Sequence, residues 1–158
     1  MTNRQLVTRF VGIGLVEWFI LATMFLTTVE PGESIGIADV VMWGLVVFSV
    51  VHPVWQVCFA RNRADVPRDF SLALAKAFCA IYFGLLAVVW IGLTMLGLFG
   101  LPWTHYAVLA ASVPLGLLFI MVITIAIVFL IRERSRANWL ALGLALLPLV
   151  FTLVALFS

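Results

Sequence analysis

Three ionisable side chains interrupt otherwise apolar runs of this chain: Glu17, His52 and Lys76. A histidine changes charge near neutral pH, a carboxylate beside it can exchange a proton with it, and a lysine nearby tunes both. His52 sits in the stretch VFSVVHPVWQVC, flanked by Ser49 and Pro53. The proline ring nitrogen cannot donate, so the Ser49 carbonyl loses its usual helical partner. That carbonyl, the Ser49 hydroxyl and the imidazole together would make a small polar pocket suited to a water, a proton or a cation. By the same rule Pro114 frees the carbonyl of Ala110, and Pro148 that of Leu144. Prolines are also ordinary kinks in apolar helices, their freed carbonyls taken up by neighbouring groups.

Other chemistry is missing. There is no GxSxG, no HExxH and no glycine-rich phosphate loop, so nothing points to an enzyme. Asp65 and Asp69 are spaced one helical turn apart, but Arg61, Arg63 and Arg68 offer them simple ion pairs. Cys58 and Cys79 have neither CxxC spacing nor a histidine pattern around them, which argues against a metal, and a structural disulfide is not expected. One haem held by His52 and His105 is excluded by depth, since the two lie about 20 Å apart across an apolar layer of about 30 Å. No cofactor and no metal are expected. His105, in LPWTHY between aromatic residues, reads as an interfacial polar group.

The elements that must carry these residues follow from composition. Of 158 residues, 65% are hydrophobic and 10% are charged, against about 25% charged in soluble domains. Five apolar runs approach or exceed the roughly 20 residues needed to cross a bilayer: Phe10–Val29, Ile37–Phe59, Leu72–Phe99, Tyr106–Ile131 and Asn138–Phe157. Short links rich in turn formers or charge separate them. Nothing alternates as barrel strands do, and lipid leaves backbone amides unpaired, so helices are required. The sequence therefore predicts an all-α bundle of five transmembrane helices forming one membrane domain over residues 1–158.

Charge sets the threading. The 9 basic residues are Arg4, Arg9, Arg61, Arg63, Arg68, Lys76, Arg132, Arg134 and Arg136. All fall on one side of the expected spans, while the opposite links carry Glu30, Glu33 and Asp39. The positive-inside rule then puts the N-terminus in the cytoplasm and the C-terminus outside. Trp55 and Trp139 fit an inner aromatic belt, and Trp43, Trp103 and Tyr106 an outer one. Arg4 and Arg9 before an apolar run resemble a signal peptide, but the run is long and no small-x-small cleavage site follows, so the first helix is expected to be retained. A multi-pass protein of the cytoplasmic (inner) membrane is expected.

On this threading Glu17, His52 and Lys76 share one layer, with Glu17 and His52 about 10 Å below the cytoplasmic boundary. Two arrangements satisfy them. In one, Lys76 snorkels to the headgroups, Glu17 pairs with it or with a partner chain, and His52 donates to a carbonyl. In the other, Glu17 and His52 line a cytoplasm-facing cavity and take up protons or a polar solute. Two functions correspond: a small non-catalytic accessory or assembly subunit of a membrane complex, or a small transporter or proton-coupled channel.

The partners expected are other membrane subunits or further copies of the chain, together with the bilayer itself. Arg61, Arg63, Arg68, Arg132, Arg134 and Arg136 would attract anionic lipid headgroups, and no nucleic-acid partner is expected. Glycines at 84, 92, 97 and 100 predict that the third helix packs centrally, although no GxxxG falls within a span.

Overall fold

The computed structural model describes residues 4–8, 10–12, 16, 36–59, 66–95, 97 and 102–157, with the backbone alone given for 38, 39, 42, 93, 102–113 and 156. Every regular element among them is helical. Beyond helical turns at 4–8 and 10–12, four helices follow: α1 (Ile37–Cys58), α2 (Phe70–Met95), α3 (Pro102–Arg132) and α4 (Arg136–Phe157). Three segments are long and apolar enough to cross a membrane, Phe70–Gly92, Pro114–Arg132 and Arg136–Ala155, and α1 carries a shorter apolar stretch, Trp43–Cys58. Helices of this length and composition mark a membrane protein. Most of the first expected span lies outside the described residues.

The helix ends differ from the expected ones for local reasons. α2 begins at Phe70, two residues before the expected Leu72, because the Asp69 carbonyl already accepts the Ala73 amide at 3.0 Å. Asp69 is thus the residue that opens the helix. At its other end α2 stops at Met95 and does not reach Phe99, since Gly97 takes a left-handed conformation at φ 61° that a helix cannot continue through. α3 starts at Pro102, before the expected Tyr106, using the proline as its first residue, where a missing N–H leaves no bond unmade. α4 starts at Arg136, and Ser135 caps it: its hydroxyl accepts the Asn138 amide at 3.2 Å and its carbonyl the Trp139 amide at 3.2 Å.

Cross-helix contacts set the directions. Ser71, Cys79 and Tyr82 of α2 meet Asn138, the Leu144 carbonyl and Thr152 of α4, so the two numberings rise together and the helices run parallel. Phe70 packs near Phe129 and Phe78 near Phe119, so α3 runs antiparallel to α2. The end of α1 meets the end of α3, where the Arg132 guanidinium lies 5.3 Å over the Phe59 ring. α1 and α3 therefore run one way, α2 and α4 the other.

Among the four described helices, α3 packs against α1, α2 and α4, and α2 packs against α3 and α4. α2 also meets Phe10 of the N-terminal segment through Phe70. The stripe Leu118, Met121, Val122, Ile125 and Ala126 is buried on α3 at helical spacing, while the outer part of α2, residues 84–91, is exposed throughout. Close approach relies on alanines rather than glycines. Ala141 and Ala145, one turn apart on α4, are fully buried with Ala75 of α2. A methyl group added at Gly84 or Gly92 would meet nothing within 4 Å.

Candidate functional site

The basic end of the bundle holds the densest set of polar contacts among the described residues, and it is built around Asn138. This side chain is only 2% exposed, and all of its polar groups are engaged. Its Oδ1 accepts the Ser71 hydroxyl at 2.8 Å. Its Nδ2 donates to the carbonyls of Phe129 at 3.2 Å and Glu133 at 2.9 Å. Both carbonyls lie at the end of α3 and also accept a backbone amide, Phe129 from Glu133 at 2.9 Å and Glu133 from Ser135 at 2.8 Å, so the Asn138 side chain is a second donor to each. One amide side chain thus closes α3, begins α4 beside the Ser135 cap and ties both to the first turn of α2.

Aromatic rings pack beneath this network. Phe10 meets Phe70 edge-on at 5.7 Å, and Phe70 lies 6.5 Å from Phe129. Phe70, Leu74, Val57 and Cys58 are buried around them. Outside this layer a cavity of about 390 Å³ opens, lined by Val57, Val66, Arg68, Phe129, Arg132, Glu133 and Asn138. Arg68 comes from the turn before α2 and Arg132 from the end of α3, so two arginines from separate elements line one space. Glu133 and Asn138 line it too, beside the apolar Val57, Val66 and Phe129.

Of the residues expected to form an intramembrane layer, His52 and Lys76 lie among the described residues. His52 lies on the exposed face of α1, where its ring stacks on Phe48 at 5.1 Å. Gln56 Nε2 and His52 Nε2 lie 2.9 Å apart, one turn along the helix, as a hydrogen-bonded pair. Ser49 turns its hydroxyl back to the Val46 carbonyl at 2.7 Å. Pro53 is half-buried in the helix interior. Lys76 is exposed on α2, a helix that α1 does not touch, so the structure does not bring His52 and Lys76 together. Glu17, Arg61 and Arg63 lie outside the described residues. Arg134 and Arg136 are exposed beside the cavity without lining it.

Pro148 has the effect expected of it, and a cysteine answers. The Leu144 carbonyl accepts the Cys79 thiol of α2 at 3.0 Å. One turn further on, Thr152 donates to the Pro148 carbonyl at 2.8 Å and meets the Tyr82 hydroxyl across the interface. In the sequence PRDFS reads as a helix start with Asp69 or Ser71 as its cap, whereas Asn138 only bounds an apolar run, and nothing there links the two. The available signal was Ser135 three residues before Asn138, the spacing of a helix cap.

Compared with known protein families, curated proteins and solved structures, the chain matches none.

Proposed function

We propose that the chain is a small non-catalytic protein that crosses the cytoplasmic (inner) membrane five times, N-terminus inside and C-terminus outside, as an accessory or assembly subunit of a membrane complex. The observation that carries this reading is the His52–Gln56 pair on the outward face of α1. A hydrogen-bonded polar pair is a poor surface to offer lipid tails and a good one to offer another helix, where side-chain amides and imidazoles bond across interfaces. Around it stand Phe48, Val51 and Trp55, all exposed, so a polar centre lies inside an apolar rim.

The threading is supported by the meeting of all described helix ends that adjoin arginines, and by the alternating helix directions. A transporter built on Glu17, His52 and Lys76 would need a shared cavity. The outward position of His52, on a helix not packed against that of Lys76, favours the subunit reading instead.

A photo-crosslinking amino acid at Val51 in native membranes tests it. A discrete adduct with one polypeptide, a second copy of the chain included, is expected, and it should vanish when His52→Leu and Gln56→Leu are introduced together. Adducts to lipid alone would remove the reading.

A further inference from the structure

We infer that the cavity at the basic end is a binding site for a phospholipid, whose phosphate is gripped between Arg68 and Arg132. The inference rests on the chain lying in a membrane and not on the partner assigned to α1.

Three features of the lining converge on this ligand. First, Arg68 and Arg132 come from different elements and both line one cavity of about 390 Å³, within the range of small-ligand sites. A planar guanidinium matches two phosphate oxygens at once, so a pair of them can hold a phosphodiester from two sides. Secondly, Val57, Val66 and Phe129 supply an apolar wall beside the charges. An inorganic ion has no use for that wall, whereas the glycerol and first acyl carbons of a lipid would cover it. Thirdly, the cavity lies at the end of the bundle where three apolar helices of spanning length terminate together, the level at which lipid phosphates sit.

The negative groups nearby do not oppose this. The carbonyls of Phe129 and Glu133, which carry the negative end of the α3 dipole, are occupied by the Asn138 amide. With its oxygen taken by Ser71 and both amide hydrogens by carbonyls, the Asn138 side chain has no donor left for a ligand. Arg68 and Arg132 against Glu133 leave the lining with an excess of one positive charge.

Native mass spectrometry of the delipidated full chain in mild detergent tests the site. The probes are phosphatidylglycerol, phosphatidylethanolamine, diacylglycerol of the same acyl length, and inorganic phosphate. Both phospholipids should be retained at low micromolar concentration and diacylglycerol should not. Inorganic phosphate at millimolar concentration should fail to displace either phospholipid. Arg68→Gln with Arg132→Gln should weaken retention at least about tenfold, the loss of charge-assisted bonds. Arg134→Gln with Arg136→Gln, which removes equal charge beside the cavity, should leave retention within about twofold.

Arg68→Lys with Arg132→Lys keeps the charges that orient the chain while losing the two-pronged grip, and should still weaken retention. Equal loss in both glutamine pairs, or equal retention of diacylglycerol, would overturn the site. Displacement by inorganic phosphate would overturn the lipid as its source.

Discussion

The Cys79 thiol of α2 donates at 3.0 Å to the Leu144 carbonyl of α4, the group that Pro148 leaves without its helical partner. A proline inside an apolar helix creates an acceptor with no water to satisfy it, and here the neighbouring helix supplies the donor. The proline therefore joins α4 to α2 as well as interrupting its own ladder. Cys79 reads from sequence as a small apolar residue, and in the structure it has a polar role that depends on a residue 69 positions away.

Through this coupling Cys79→Ala should lower stability by about 1 kcal/mol or less, the worth of one hydrogen bond between membrane helices. In a Pro148→Ala background the helix can supply its own amide to Leu144, and Cys79→Ala should then have a smaller effect. Unfolding in a graded detergent mixture, run as a double-mutant cycle, reads the difference. Equal losses in both backgrounds would show that the thiol only fills space.

Asn138→Ala should be among the most damaging single substitutions in the described part of the chain. It removes three hydrogen bonds at once, although the Phe129 and Glu133 carbonyls keep their backbone amides and only the Ser71 hydroxyl is left without the partner it has here. With about 0.5–1.5 kcal/mol for each bond and relaxation at the helix ends recovering part of it, a net loss of about 1–3 kcal/mol is expected. Ser71→Ala, which removes one of these bonds, should cost about 1 kcal/mol. The same unfolding assay ranks them, and His52→Leu, on an exposed face, should fall well below both.

Which parts of this arrangement were legible in the sequence follows from where its signals lie. Apolar runs bounded by charge announce helices, so Ile37–Phe59, Leu72–Phe99, Tyr106–Ile131 and Asn138–Phe157 each found a helix within a few residues. The gathering of Arg68, Arg132, Arg134 and Arg136 at one end also follows from their loops. Lateral packing was not legible. α3 and α4 are apolar on every face, so no stripe announces which neighbour a face will meet. The glycines of α2 suggest close packing, but among the described residues Ala141 and Ala145 are fully buried small residues, while Gly84 and Gly92 have open space around them. The Asn138 network and the Arg68–Arg132 cavity join residues 60 or more positions apart, and only the fold brings them together.

The alanine contact makes opposite expectations for two kinds of substitution. Ala145→Leu places three further carbons in a fully buried position and should destabilise by about 1–3 kcal/mol through overpacking. Gly84→Ala and Gly92→Ala add a methyl group that meets nothing within 4 Å, and each removes backbone freedom from the unfolded chain. Both should be neutral or stabilising by up to about 1 kcal/mol. Thermal unfolding in detergent separates the cases. A large loss at Gly84 would mean that a partner helix covers the outer part of α2.

The alternation of helix directions bears on the threading and can be tested in cells. α2 and α4 run parallel with α3 between them, so Arg68 and Ser135 must share a side and the end of α4 at Phe157 must face the other. With arginines concentrated at the first of these ends, that side is expected to be the cytosol. In a variant with Cys58 and Cys79 replaced by alanine, single cysteines at Ser135 and at Phe157 report the two ends. A membrane-impermeant maleimide on intact cells should label the cysteine at 157 and spare the one at 135 until the membrane is opened. The reverse pattern would invert the protein, leaving the bundle unchanged but moving the Arg68–Arg132 cavity to the outer leaflet. Labelling of both positions on intact cells would contradict the bundle itself, because two ends of one spanning helix cannot face the same compartment.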